Sequence, residues 1–422
     1  MFVSPTPSLD IAEFIGRKKI EIHFQPIISI RRKSAIGIEA LSRGIGGENE
    51  MSNGLANNLI APRELFEAAA AQNLSFELDN LCREIALQKF LPIHKTDPNL
   101  ILFLNLHVSA FDKGARAMYN LVQKIGIDSR NVAIEILESQ FDDPAGLRRS
   151  VDEYKKCGFL VAMDDIGVGH SNLDRIINIK PDILKADLSL VRDLHLEYHK
   201  QEIFKSLVHL SEKIGGWIIS EGVETEDEAV AALGLGGDII QGFYFAAPHK
   251  IENNKLNFKH EALENVGARF KKRMTTKIKT DYEQREMRSQ TIGHAAFRLS
   301  CVSPDEFEPE LQQFVREFPM IESACVLDEA GIQQSETILG TQQMQPEKTV
   351  IFQPPPRGTD HSLKEYFYAL QETEIRIFET NPYVPLPCGE LCITVSTHFK
   401  DKNGAPFILC LHLKVPELNA LK

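Results

Sequence analysis

The chain has 422 residues, which is longer than one hydrophobic core usually supports, so two domains are the first expectation. Hydrophobic residues make up 43% and charged residues 25% of the chain, a composition that excludes a disordered or fibrous protein. The net charge of −12 argues against binding of DNA through a broad basic surface, although a small anion could bind beside metal ions.

The N-terminal sequence and the cysteines predict where the protein is found. The chain begins Met-Phe-Val-Ser-Pro-Thr-Pro, without the basic and apolar stretches of a secretion signal, and no apolar run is long enough to span a membrane. The seven cysteines are scattered, and an odd number in such a chain favours reduced thiols over a disulfide framework. We therefore expect a cytoplasmic protein with no membrane span.

Residues 20–250 alternate short apolar runs with amphipathic helical stretches. Eight runs rich in Val, Ile and Phe over this length predict a (β/α)8 barrel of the TIM type. Only Ser29–Lys33 joins the first two runs, too few residues for a crossover helix, so the first strand should run antiparallel in a variant barrel. The predicted strands are Glu21–Ile30, Ala35–Leu41, Leu100–His107, Val132–Leu137, Leu160–Asp164, Ile183–Lys185, Trp217–Ser220 and Ile239–Gln241.

Two further regions follow the barrel, which we assign to residues 1–252. Residues 253–298 are predicted to form a long polar helix, interpreted as a solvated linker or, alternatively, as a helix that pairs two subunits. Residues 299–422 should form a smaller α+β domain with antiparallel strands, two of them joined by a hairpin turn at Asp401–Gly404.

Polar residues occur at the carboxyl ends of the predicted barrel strands, where the active sites of such barrels form. Charged groups beside apolar runs are costly unless they are paired or bind a metal ion. Five carboxylates cannot meet in one pocket as anions without cations, and oxygen ligands without Cys or His favour Mg²⁺ or Mn²⁺. Two such ions would activate water for attack on a phosphodiester. The residues concerned are Glu39, Asn105, Glu135, Asp164, Asp165, Lys185, Glu221 and Gln241.

An ordered set of short blocks resembles the EAL family of cyclic di-GMP phosphodiesterases. Glu39-Ala40-Leu41 is followed by Ser42-Arg43, and the matching blocks cover residues 20–250. The resemblance implies hydrolysis of cyclic di-GMP to linear pGpG with two Mg²⁺ or Mn²⁺ ions. The other blocks are Gln25–Ile27, Asn105–Ser109, Ile134–Ser139, Pro181–Lys185, Ser220–Thr225 and Gln241–Phe245.

The resemblance also implies a role for each matching residue. One metal ion would be held by Glu39, Asn105, Glu135 and Asp164. The second ion would be held by Asp164, Asp165 and Glu221. The catalytic residues would be Lys185, Glu221, Gln241 and Glu39. The substrate would be contacted by Gln25, Leu41, Arg43 and Pro248. Among these, Lys185 would hydrogen-bond the attacking water, and Arg43 would bind a phosphate oxygen.

The segment after the paired aspartates departs from the family pattern. The family usually has Phe-Gly-Thr-Gly-Tyr-Ser where this chain has Ile-Gly-Val-Gly-His-Ser, at Ile166–Ser171. Two hydroxyls are lost from a loop that links metal binding to dimerisation in the family, and Glu138 resembles the acid that stabilises the loop after strand five. The resemblance implies a homodimer. It leaves open two alternatives, a catalytically silent cyclic di-GMP receptor and an interaction scaffold.

Residues 299–422 resemble PAS-like or Cache-like sensor domains. The blocks Asp360–Phe367 and Gly389–Ser396, together with Tyr383, carry this resemblance. It implies a regulatory domain with a pocket for an unidentified small ligand. A dimerisation or packing module without a ligand is an equal alternative.

Overall fold

The computed structural model describes residues 9–46, 59–106, 114–136, 144–167, 172–340, 353–371, 373–384 and 391–415. The chain separates into two compact units, residues 1–273 and 274–422. The domain boundaries at residues 252 and 298 stay a prediction. Among the described residues, no helix combines the length and the apolar character needed to cross a membrane.

The first unit is built on nine strands in the described part of the chain. They are β1 Ile20–Ser29, β2 Ser34–Ile45, β3 Leu59–Ile60, β4 Ile101–Asn105, β5 Val132–Ile136, β6 Leu160–Ile166, β7 Ile183–Ala186, β8 Trp217–Ser220 and β9 Ile239–Ile240. Eight of them follow the order β1-β9-β8-β7-β6-β5-β4-β2, and β1 pairs with β2 to close the barrel. β1 is antiparallel to both neighbours, whereas the other barrel pairs are parallel, so the predicted variant barrel is confirmed.

Helices surround the barrel. They are α1 Ile11–Gly16, α2 Pro62–Ala71, α3 Ser75–Thr96, α4 Ala115–Ile125, α5 Pro144–Lys156, α6 Asn172–Ile179, α7 Leu188–Val191, α8 Tyr198–Ile214 and α9 Glu226–Gly234. Their ends follow local chemistry. α2 begins with a proline, and Thr225 and Glu228 form a capping box at the start of α9. α8 ends at Gly215, which adopts the left-handed conformation.

The second strand is longer than predicted. Its polar residues after Leu41 suggested a loop, but β2 continues to Ile45 because β1 and β3 both pair with this extension. Backbone pairing therefore outweighs the weak strand propensity of Ser42 and Gly44.

The barrel interior is filled by an apolar layer. These side chains come from all eight barrel strands or their ends and form a cluster separate from the packing between barrel and helices. The layer makes the barrel a packed core with no open pore, as is usual for this fold. Its buried members are Ile27, Ile36, Ile101, Phe103, Ala133, Ala162, Ile183, Ile219 and Ile239.

A long helix, α10, spans His260–Ser300 and confirms that the polar stretch after the barrel is helical. Its first turns contribute Leu263 and Val266 to the core of the first unit. Its last turns contribute Ile292 and Leu299 to the core of the second unit. The two ends of the helix thus contribute side chains to the cores of the two units.

The second unit contains a five-stranded antiparallel sheet in its described residues. Its elements are α11 Phe307–Glu317, β10 Ile321–Leu327, β11 Ile338–Leu339, α12 Glu365–Gln371, β12 Ile377–Glu379, β13 Cys392–Lys400 and β14 Pro406–Lys414. The strand order is β11-β10-β14-β13-β12, and the predicted hairpin joins β13 to β14. One face packs against α10 and α11, and the other against α12.

Candidate active site

A polar layer lies directly above the apolar layer. Apart from Glu39, each member stands two residues from an apolar-layer residue, on the same strand or just beyond its end, as Glu135 stands beyond Ala133. On antiparallel β1 the order is reversed, and Gln25 precedes Ile27. Side chains two residues apart share one face of a strand, so both layers face the interior. The polar layer consists of Gln25, Glu39, Asn105, Glu135, Asp164, Lys185, Glu221 and Gln241.

The ammonium of Lys185 lies at the centre of this polar layer and is only 1% exposed. Its Nζ is 2.5 Å from Glu135 Oε1 and 2.7 Å from Glu221 Oε1. It is also 3.6 Å from Asp164 Oδ1 and 3.7 Å from Glu39 Oε2. Carboxylates from four different strands or strand ends are therefore held around one positive charge.

A chain of hydrogen bonds fixes Glu39 at one side of the layer. Asn105 Nδ2 donates to Glu39 Oε1 at 2.9 Å, and Gln241 Nε2 donates to Glu39 Oε2 at 2.6 Å. The Gln241 amide also lies 3.2 Å from Gln25 Oε1, and Gln25 Nε2 donates to the carbonyl of Ala246 at 3.0 Å. Gln241 thus connects a predicted metal ligand to a predicted substrate contact.

The paired aspartates lie at an irregularity of the barrel. The β6–β7 pairing shifts register between Met163 and Ile166, and Asp165 has a left-handed backbone with φ of 57°. The Asp165 amide donates to Asp164 Oδ1 at 3.0 Å. A regular strand directs consecutive side chains to opposite faces, and this bulge interrupts that alternation at Asp165.

Burial and the neighbouring charges set the protonation of the layer. Burial raises the pKa of Glu135 well above its ordinary value, and the Glu39 carboxylate adds to this effect. Burial likewise raises the pKa of Glu221 to about 8. For Glu39 the raising effect of burial is outweighed by the Lys185 ammonium and by two amide hydrogen bonds, so its pKa is lowered. The carboxylates around Lys185 overcome the effect of burial and hold the pKa of that lysine well above its ordinary value.

These pKa shifts arise because the cluster contains more carboxylates than cations. The pKa values of Glu135 and Glu221 are raised because both acids are buried and because one ammonium cannot balance all the carboxylates. The donors are carboxylate and amide oxygens, which suit hard divalent cations. In the described residues, no three acidic, His or Cys side chains converge at the spacing of metal ligands, and the Lys185 ammonium lies between the carboxylates. The chemistry of the donor set fits Mg²⁺ or Mn²⁺, and binding would require these side chains to rearrange.

The remaining predicted residues lie at the edge of the site or outside it. Leu41 and Arg43 are half-buried on β2 beyond Glu39, and burial lowers the pKa of Arg43 although Glu39 raises it. Pro248 is half-buried next to His249, whose backbone pairs with Phe24 of β1. Glu138 and residues 168–171 lie outside the described residues.

One contribution that the sequence analysis missed comes from Gly242. A Cβ atom at this position would lie 2.0 Å from the Val223 carbonyl oxygen, so only glycine allows this approach. The Gln241 carbonyl accepts from the Val223 amide at 3.1 Å, which holds Gln241 beside the segment that carries Glu221. The glycine within the Gln241–Phe245 block was the available signal, but its packing partner is distant in sequence.

A family model and individual relatives point to the same protein family. The model of the EAL domain family matches residues 9–248, more than half of the chain. YkuI of Bacillus subtilis, an uncharacterized EAL-domain containing protein, is 26% identical over 393 residues, covering 90% of this chain and 91% of YkuI. The cyclic di-GMP phosphodiesterase RocR of Pseudomonas aeruginosa is 26% identical over 255 residues, covering 58% of this chain but only 62% of RocR.

The fold is also found among solved structures. The crystal structure of B. subtilis YkuI, in complex with cyclic di-GMP and calcium, aligns with a TM-score of 0.78 at 22% identity. The alignment covers 96% of this chain and 99% of the YkuI chain. At this level of identity the likeness establishes the fold alone, and it extends through both units.

Proposed function

Because this chain belongs to the EAL domain family, we propose that it hydrolyses cyclic di-GMP to linear pGpG with the help of two Mg²⁺ or Mn²⁺ ions. The observation that carries the proposal is the polar layer, in which four predicted metal ligands lie within 3.7 Å of Lys185 Nζ and a fifth, Asn105, donates to one of them, Glu39. Further support comes from RocR, a cyclic di-GMP phosphodiesterase, and from YkuI, whose crystal holds cyclic di-GMP and calcium.

The roles in the proposed reaction follow the family assignment. The first ion would be held by Glu39, Asn105, Glu135 and Asp164. The second ion would be held by Asp164, Asp165 and Glu221. When bound, such ions lower the pKa of water and stabilise the charge that develops on a phosphodiester. The apolar layer beneath the site excludes bulk water from its floor, which strengthens every electrostatic contact there.

The other polar groups would position water and substrate. Lys185 would donate a hydrogen bond to the attacking water through its ammonium. Gln241, anchored to Glu39, would orient water or phosphate. Arg43 would bind a phosphate oxygen. The nucleotide would be contacted by Gln25, Leu41 and Pro248.

Chromatography of a reaction with the full chain tests this proposal. Purified protein is incubated with cyclic di-GMP in Mg²⁺ or Mn²⁺, alongside Glu39→Ala and the matched control Glu67→Ala, which alters an exposed carboxylate on α2. We expect metal-dependent pGpG from the wild type and the control and none from Glu39→Ala. Nucleotide binding without product in either metal would contradict hydrolysis and favour the receptor alternative.

The second unit is proposed to be a PAS-like regulatory module, and the protein a homodimer. Support for the module comes from its five-stranded antiparallel sheet with helices on both faces. Support for the dimer comes from α6, where Leu173 and Ile177 are 63% and 67% exposed. Sedimentation of the full chain beside a Leu173→Glu, Ile177→Glu variant tests the dimer, which the paired charges should dissociate. A monomeric wild type would contradict it.

A further inference from the structure

One face of the sheet in the second unit carries a buried cluster of thiols and hydrogen-bonding groups that plays no part in the proposed hydrolysis. Cys325 on β10 and Cys410 on β14 are 2% and 0% exposed and stand directly opposite each other. The thiol cluster consists of Cys325, Cys410, His412, Thr394 and Tyr383. Leu327, Phe367 and Leu370 pack around the two cysteines and α12 covers them.

Strand register arranges this cluster around Cys325. Cys410 stands opposite Cys325, and His412 lies two residues along β14 from Cys410, on the same face of the sheet. His412 Nδ1 lies 2.8 Å from Thr394 Oγ1 and 3.2 Å from Tyr383 Oη. Those two hydroxyls are 2.6 Å apart. A thiol next to an imidazole that a third group orients is the arrangement of an activated sulfur nucleophile.

Buried cysteines are usually inert, because burial disfavours the thiolate. Cys82 behaves in this way, and burial raises its pKa to about 12. At Cys325 the hydrogen bond from Cys410 and the contact with His412 outweigh burial, so the pKa of Cys325 lies below the ordinary thiol value. The pKa of Cys410 is raised well above it. The pair therefore contains one sulfur that favours the thiolate and one that retains its proton.

We propose that Cys325 is a site of oxidation by hydrogen peroxide and that Cys410 converts the product into a disulfide within the chain. The Cys325 sulfur attacks the peroxide, an S–O bond forms as the O–O bond breaks, and the other oxygen leaves as water with the thiol proton. The Cys410 sulfur then attacks the sulfenic acid, an S–S bond forms as the S–O bond breaks, and a second water leaves. The two thiols lose two electrons, and hydrogen peroxide gains them.

The strand register makes the second step possible. Opposite residues of an antiparallel pair have Cα atoms roughly 4.5–5.5 Å apart. Disulfides need Cα separations of about 4.4–6.8 Å. The bond can therefore form without strand movement on that scale. The burial of both sulfurs also makes the site selective by size, since hydrogen peroxide is scarcely larger than water.

The test compares two cysteines of the full, reduced chain. Cys301 is exposed and serves as the internal control, because its thiol meets reagents of any size. Hydrogen peroxide should oxidise Cys325 roughly tenfold faster than Cys301, owing to its larger thiolate fraction. A bulky aromatic disulfide reagent should show the opposite order and react with Cys301 first. Peptide mapping by mass spectrometry should then find the β10 and β14 peptides joined, with the loss of two hydrogen atoms.

Two variants separate the steps. Cys410→Ser should stop at the sulfenic acid, which a cyclic dione traps on Cys325 when the peroxide-treated protein is unfolded in its presence. His412→Asn should slow the peroxide reaction of Cys325 roughly tenfold without changing that of Cys301. Preferential oxidation of Cys301, a disulfide between another pair, or Cys325 and Cys410 still reduced in the folded wild type would each overturn the proposal. The wild-type map requires no variant to fold and no phosphodiesterase activity, so its outcome is independent of the proposed function.

Discussion

The two units bury polar side chains in opposite ways. The barrel gathers carboxylates around the single ammonium of Lys185, and their charges exceed what that ammonium can balance. The sheet of the second unit buries thiols, imidazoles and hydroxyls that bond to one another, such as the Thr394 and Tyr383 hydroxyls beside His412. Buried neutral groups are satisfied by hydrogen bonds, whereas a buried excess of charge needs counterions. Divalent cations should therefore matter to the barrel and not to the sheet.

We expect the largest effect on hydrolysis and on stability from removing the positive charge of Lys185. Lys185→Met keeps similar volume but leaves the carboxylates without their cation. We expect hydrolysis to fall on the order of 10²–10⁴-fold. We also expect the metal-free barrel to lose about 3–5 kcal/mol of unfolding free energy. Product formation and denaturant unfolding are measured beside Lys89→Met, an exposed lysine on α3 that should change neither. Wild-type turnover in Lys185→Met would show that the barrel site does not need this ammonium.

The stability of the metal-free barrel should depend on pH. Glu221 has its pKa raised to about 8, so between its unfolded value near 4.5 and that value the folded state keeps a proton that the unfolded chain has lost. Unfolding free energy should therefore fall as pH rises through this window, on the order of a few kcal/mol. Glu135 acts in the same direction. Glu39, with its lowered pKa, contributes stability above about 4.5 that is lost on further acidification.

Trp217 makes this pH effect measurable in the barrel alone, because it is the only tryptophan of the chain and lies on β8. Urea unfolding is followed by its fluorescence at several pH values. A barrel stability that rises between pH 5 and pH 8 without metal would contradict the assigned shifts. The variant Glu221→Gln cannot ionise and should flatten the profile.

Metal binding should stabilise only the first unit. At a Mn²⁺ concentration 100 times the dissociation constant, linkage predicts about 2.7 kcal/mol of added stability. Hydrogen exchange followed by mass spectrometry reports on both units in one sample. Peptides from β5 and β6 should become more protected, while peptides from β10 and β14 should not change. An equal increase in protection from exchange for peptides of both units would contradict metal binding confined to the first unit.

The smallest expected effect concerns the neutral cluster. Thr394 is fully buried, and its hydroxyl bonds to His412 and Tyr383. Thr394→Val removes this hydroxyl with little change of shape and should cost about 1–3 kcal/mol, because a buried partner is left unsatisfied. The loss, measured by exchange of β13 and β14 peptides, should be the same with and without Mn²⁺. A loss of stability in Thr394→Val that Mn²⁺ reverses would show that the sheet of the second unit also depends on divalent cations.

Much of the barrel could be predicted because most of its strands are short apolar runs with a polar residue at the carboxyl end. The two-residue step from an apolar-layer residue to a polar-layer residue, such as Ile183 to Lys185, is visible in the sequence itself. The antiparallel β1 followed from the length of one connection. These features are local, and local features are what a single sequence carries.

Other features depend on contacts between distant residues. The extension of β2 to Ile45 required pairing with β1 and β3. The sequence predicted only a hydrogen bond from Lys185 to the attacking water. Its position among four carboxylates depends on the closure of the barrel, which brings distant strands together. The opposition of Cys325 and Cys410 came from strand register across 85 residues of chain. The sequence alone had favoured ordinary reduced thiols.

The number of Mn²⁺ ions bound per chain decides whether the polar layer is a site for two divalent cations. Equilibrium dialysis of the full chain, with free Mn²⁺ read by electron paramagnetic resonance, gives the number of ions per chain. We expect two ions for the wild type and the loss of both in Asp164→Asn, since Asp164 would be a ligand of each ion. Trp217 fluorescence would verify that the variant is folded. A folded wild type that binds no Mn²⁺, or a variant that binds as well as the wild type, would contradict the account.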